Sequence, residues 1–175
     1  DKFHIAKHLG EAVDRIRRAE NKQLLAADAD DKRLVGTKYR WLRNPDNFTD
    51  GQWREFAALR NSNLKTARAW ALKEQAMALW DYRYAGAARK HFAWWYGWAS
   101  RCRLKPIAEK AKMLKSRLTN ILTYFQHPIT TATSESMNSK IQWVKYTARG
   151  FRNLRNFTTA IYFHCGGLDL APSPT

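Results

Sequence analysis

Six apolar residues, Ile107, Ala111, Leu114, Leu118, Ile121 and Phe125, step along the chain by four, three, four, three and four. Strand side chains alternate between faces every residue, so only a helix places all six on one side. The same rhythm opens the chain, where Ile5, Leu9, Val13 and Ile16 recur while Lys7, Glu11, Asp14, Arg15 and Arg18 take the other sides. No segment alternates convincingly with a period of two, and no internal repeat is visible. The pattern therefore predicts a mainly α protein.

Breakers place the helix ends. The first helix is expected to run to about Ala26 and to end in the acidic loop Asp28 to Asp31. Gly36 and Asn44-Pro45-Asp46-Asn47 interrupt the chain again. Thr49 suits the N-cap of a short helix carrying Trp53, Phe56 and Leu59. Residues 63 to 84 read as one long helix, followed by a turn or a loosening around Gly86. The stretch Phe92 to Trp98 is aromatic on more than one face. Trp94, Trp95 and Trp98 read first as core, with stacking on unpaired bases as the alternative.

Pro106 opens the helix of the six-residue stripe and His127-Pro128 stops it. Residues 135 to 149 form a further helix, with Thr133 or Ser134 near its N-cap and Gly150 just past its end. A last short helix, from about Thr158 to His164, ends at Gly166-Gly167, and the tail 171 to 175 reads as loose.

Charge narrows the function. The 175 residues carry a formal net charge of +16, with a pI near 10.2. Such an excess suits a polyanionic partner, nucleic acid or an anionic membrane surface. No apolar run approaches the roughly 20 residues of a membrane span, and the first residues do not resemble a signal peptide. Cys102 and Cys165 lack metal-ligand spacing and read as reduced, structural cysteines.

Within this basic chain, residues 129 to 153 hold a single acid, Glu135, against Lys140, Lys145, Arg149 and Arg152. Met137, Ile141, Val144 and Ala148 mark an apolar stripe on the predicted helix. Glu135, Asn138, Gln142, Lys145 and Arg149 mark a polar one. An acid in a first helical turn is favoured by the helix dipole by roughly 0.3–1 kcal/mol, which alone would account for Glu135.

The opening Asp1-Lys2-Phe3-His4, followed after a long helical stretch by Ile129-Thr130-Thr131-Ala132-Thr133-Ser134-Glu135-Ser136-Met137-Asn138, resembles bacterial insertion-sequence transposases of the DDE class. Asn63 to Trp70, Lys145 to Phe151 and Asn156-Phe157 are similar too, and the likeness runs to about Leu170. Thr131 and Ser136 depart from the Asn and Gly usual at those motif positions.

The resemblance implies a ribonuclease H-like core in which three acids hold two divalent metals, Mg²⁺ or Mn²⁺. Asp1 corresponds to the second acid and Glu135 to the third, both as metal ligands. It further implies that 1 to 26 follow the second acid, that 27 to 128 form a helical insertion, and that 129 to 170 return to the catalytic core. The core strands bearing the first acid would lie outside this C-terminal part of the enzyme, leaving this chain alone inactive. DNA, as transposon ends and target, becomes the expected partner in a bacterial, nucleoid-associated cytoplasmic setting, with homo-oligomerisation of the complete enzyme open and no membrane role.

Lys140, Lys145 and Arg149 are candidates for the DNA backbone beside the metals, or form a solvated helix face. The run Arg101-Cys102-Arg103-Leu104-Lys105 offers three more candidate phosphate contacts, Arg101, Arg103 and Lys105, or a plain solvated turn. His4, Asn138 and Gln142 are candidate accessory residues, His4 being equally suited to local packing. The alternatives to a catalytic transposase part are a non-catalytic basic helical module and an inactive remnant of an element.

Overall fold

The computed structural model describes residues 2–126 and 132–166, with side chains described throughout except at 132–134. The described residues contain helices and no strand, as the periodicity predicts. They fall into two units, Asp1–Pro128 and Ile129–Thr175.

In the first unit, α1 (Lys2–Ala27) packs against α2 (Lys38–Leu42), α4 (Lys65–Met77) and α6 (Lys105–Ser116). It does so by burying Ile5, Leu9, Val13 and Ile16, the stripe read from its sequence, together with Ala12. α5 (Ala85–Arg101) lies against α4 and α6. Between α2 and α4, α3 (Asp50–Arg60) opens with a complete capping box: Thr49 Oγ1 accepts from Gln52 N, and Gln52 Oε1 accepts from Thr49 N. Phe56 of α3 is fully enclosed and meets Trp41 at 4.9 Å and Trp70 at 5.1 Å, both edge-on. Each such aromatic pair adds about 0.5–1.5 kcal/mol beyond the area it buries.

The start of α4 depends on a distant acid. Leu64 at its N-cap makes no side-chain cap bond. The buried carboxylate of Glu20 on α1 takes over, accepting from Lys65 N, Thr66 N and Thr66 Oγ1, each at 2.7 Å. Donors that a helix start leaves without intrahelical partners are thereby satisfied across the core.

Several boundaries differ from the expectation. The helix predicted over 63 to 84 ends at Met77, and Ala78–Asp81 tighten into a 3₁₀ turn. The chain turns at Tyr82 to Tyr84, and Gly86 lies inside α5 instead of loosening it. The helix expected from Pro106 through Phe125 breaks at Arg117 (φ −109°, ψ 11°) into α6, α7 (Leu118–Leu122) and a 3₁₀ turn, Thr123–Phe125. Its stripe still faces inward, since Ile107, Ala111, Leu114 and Ile121 are buried. His127-Pro128 lies outside the described residues.

The Trp-rich stretch is split between faces. Trp95 is buried and donates from Nε1 to Leu72 O at 2.8 Å. Trp94 and Trp98 are 58% and 41% exposed, so the core reading holds for only one of the three indoles.

The second unit is a helical hairpin of α8 (Ala132–Thr147) and α9 (Leu154–Cys165). Thr133 and Ser134 belong to the first turn of α8 and are not its cap. α9 begins four residues before the expected Thr158, because the Asn153 side chain caps it by accepting from Arg155 N at 2.8 Å. The chain helix ends at Gly166 as anticipated; Gly167 and the tail lie outside the described residues.

Candidate functional site

Glu135 sits in the first turn of α8, half-buried, and is the sole acid in the sequence from 132 to 166. Among the described residues of this unit Val144 is buried, Trp143 rests edge-on against His164 of α9 at 5.8 Å, and Phe151 meets Phe157 at 5.1 Å.

The far end of α8 is shaped by its terminator. Gly150 N donates to Lys145 O and Arg149 N to Tyr146 O, both at 3.0 Å. This is the bond pair of a Schellman motif, whose left-handed position is usually glycine. Here Arg149 occupies it, with φ 52°, ahead of Gly150 at φ 98°. A large side chain in that conformation is uncommon. Beside this turn lies an open hollow of about 920 Å³ lined by Gln142, Trp143, Lys145, Tyr146, Thr147, Arg149 and Gly150.

Three of the residues predicted from the polar stripe, Gln142, Lys145 and Arg149, thus come together. Lys140 does not line the hollow; it falls about 140° round the helix from Glu135, five residues on. Asn138 is exposed on α8. The sequence reading missed Trp143 and Tyr146, which are 57% and 85% exposed among the cations. Their signal was the interleaving of aromatic and basic residues in Gln142-Trp143-Val144-Lys145-Tyr146, a pattern suited to bases and phosphates together.

The remaining candidates belong to the first unit. Asp1 lies outside the described residues. His4 is exposed in the first turn of α1, its ring edge-on to Phe3 at 5.7 Å. Arg101 donates from Nε to Gly97 O at 2.8 Å, while Arg103 adopts φ 59° and Lys105 opens α6, all three exposed. Between them Cys102 and Leu104 are buried, so this run is an anchored turn that directs its cations outward.

The chain matches the DDE transposase family of the ISL3 type over residues 1–161. It belongs to that family. The transposase for insertion sequence element IS1001 from Bordetella parapertussis is 31% identical over 160 residues, covering 90% of this chain and 39% of that protein. The transposase for insertion sequence element IS1557 from Mycobacterium tuberculosis is 28% identical over 122 residues, covering 70% of this chain and 27% of that protein. This transposase chain therefore spans about two fifths of the first relative's length. No solved structure matches it.

Two physical tests bear on a metal and on a membrane. Among the described residues no three His, Cys, Asp or Glu side chains converge as a metal site requires. Glu135 is a hard oxygen donor, so the described residues of the second unit offer one ligand of the type that Mg²⁺ prefers and no complete set. No described helix is long and apolar enough to cross a membrane.

Proposed function

We propose that this chain is a catalytic part of an insertion-sequence transposase that cleaves and joins DNA strands with divalent metal ions. The observation that carries the proposal is the family match across 1–161, which takes in both the Asp1 and the Glu135 motifs. In this reading Asp1 and Glu135 are ligands for two Mg²⁺ or Mn²⁺ ions, together with an acid elsewhere in a longer protein. The chemistry supplied by such a pair of ions is activation of the attacking oxygen and charge relief on the leaving one.

The hairpin supports a place in a larger core. Among its described residues this unit buries Val144 and leaves Met137, Leu154, Tyr162 and Phe163 exposed. Two helices with so little buried surface are marginal alone. Cover by the sheet of a ribonuclease H-like core would bury that apolar surface. Residues 1–26, 27–128 and 129–170 are then a core helix, a helical insertion and the return to the core.

The cations position DNA. Lys145 and Arg149 flank the hollow, Lys140 stands on another face of α8, and Arg101, Arg103 and Lys105 extend the basic surface of the insertion. Their phosphate contacts fix register without reading sequence. Replacing Lys145 and Arg149 together by Ala is expected to flatten the slope of log Kobs against log [salt] by about 2. A slope equal to that of the unaltered chain would remove both from the interface.

The direct test incubates the full-length protein with DNA carrying its own element's ends. Expected are strand cleavage and joining with Mg²⁺ or Mn²⁺, and neither in a chelator. DNA binding with no cleavage under any divalent ion would favour the non-catalytic module instead.

A further inference from the structure

Helix α5 has two regular faces. Ala88, Phe92, Trp95 and Ala99, spaced four, three and four, are buried against the core. His91, Trp94, Trp98 and Arg101, spaced three, four and three, form a second stripe about 110° round the helix from the first. Along it Tyr82 contacts His91 at 5.1 Å, His91 contacts Trp94 at 5.8 Å, and Trp94 contacts Trp98 at 5.9 Å with their planes 49° apart. The two indoles are tilted and not stacked on each other.

The lower end of the stripe is held in place. His91 Nε2 is 2.7 Å from Gln75 O and its Nδ1 is 3.2 Å from Tyr82 Oη, so the imidazole is fixed between α4 and the turn before α5. At the upper end Arg101 lies back along the helix, its guanidinium 3.2 Å from where a Cβ on Gly97 would stand. A side chain at 97 would displace that guanidinium.

Two large aromatic rings in water need a reason, since isolated exposed apolar residues are common but an ordered row is not. Charge selects the occupant. From Tyr82 to Ala108 the sequence holds no acid and six cations: Arg83, Arg89, Lys90, Arg101, Arg103 and Lys105. An apolar protein partner would meet uncompensated positive charge, whereas a nucleic-acid strand brings phosphates to the cations and bases to the rings.

We propose that the His91–Trp94–Trp98–Arg101 stripe is a stacking platform for unpaired bases of a DNA strand, with Arg101 and its neighbouring cations on the phosphates. The inference rests on the DNA-binding reading of this chain and adds to it a preference for single strands at one defined face. Base pairs in an intact duplex are already stacked and offer no free ring face, so the platform discriminates by strandedness and not by sequence.

The test measures anisotropy of a labelled oligo(dT) of about 12 nucleotides, within the usual single-strand site size, and of a duplex of equal length, using the whole chain. Trp94→Ala and Trp98→Ala are each expected to weaken oligo(dT) binding by roughly 5- to 150-fold. Duplex affinity should stay within about twofold, because duplex contacts run through cations and not through these rings. Trp94→Phe and Trp98→Phe should retain most of the oligo(dT) affinity, which a generally misfolded variant would not. Unchanged oligo(dT) binding in both Ala variants, or equal loss on single strand and duplex, would overturn the platform while leaving DNA binding intact. So would a variant that turns a dimer into a monomer with oligo(dT) affinity unaltered, since the face would then be a contact between copies. If the unaltered chain binds neither DNA at low salt, the underlying DNA reading fails as well.

Discussion

Glu20→Ala is expected to destabilise the chain by about 3 kcal/mol, the cost of leaving buried donors unsatisfied and a helix start uncapped. The carboxylate accepts from Lys65 N, Thr66 N and Thr66 Oγ1, and Thr66 is fully enclosed. Without the acceptor, no water reaches the Thr66 donors easily, and the first turn of α4 loses its anchor on α1. Glu20→Gln should fall between the two, because one amide oxygen remains while its NH₂ faces donors. Thermal unfolding followed at 222 nm reads the difference as a fall in Tm on the order of 10 °C. A change within about 0.5 kcal/mol, the usual effect of an ordinary surface substitution, would mean that α4 starts without help from α1.

That contact was invisible in the sequence, and the reason is general. Glu20 and Lys65 are 45 residues apart, and nothing local marks an acid on one helix as the cap of another. Local signals fared better: Thr49 and Gln52 form the cap box that Thr49 announces, and the stripes of α1 and α6 face inward as their spacing requires. Periodicity failed where a break leaves the stripe in phase. Steps of four and three run on through Arg117, where neither Gly nor Pro marks the change of backbone angle. The early end of α4 at Met77 has the same character, since Ala78 to Asp81 keep helical spacing while tightening to 3₁₀. On α5 the sequence shows two aromatic faces equally, and only packing decides that Trp95 goes inside and Trp94 outside.

The candidate site divides in the same way. Glu135 stands out by its motif and not by its spacing, since an acid in a first helical turn is common. Gln142, Lys145 and Arg149, placed on one stripe by their spacing, line one hollow, although Arg149 has left-handed backbone angles past the end of α8. Trp143 and Tyr146 were missed because a search for metal ligands and cations passes over aromatic residues.

We propose that the Glu135 carboxylate is part of the catalytic machinery. Glu135→Gln keeps the size of the side chain and removes the charge that a hard divalent cation requires. If Glu135 only complements the helix dipole, this change lowers stability by some fraction of about 1 kcal/mol and leaves activity standing. The measurement is strand cleavage by full-length protein with Mg²⁺ or Mn²⁺, alongside DNA affinity and thermal unfolding of the same preparation. Loss of a catalytic electrostatic interaction is commonly worth a factor of about 10²–10³ or more. Cleavage is expected at least that far below the unaltered enzyme, with DNA binding and Tm nearly unchanged. Cleavage by the Gln variant at near the original rate would contradict it.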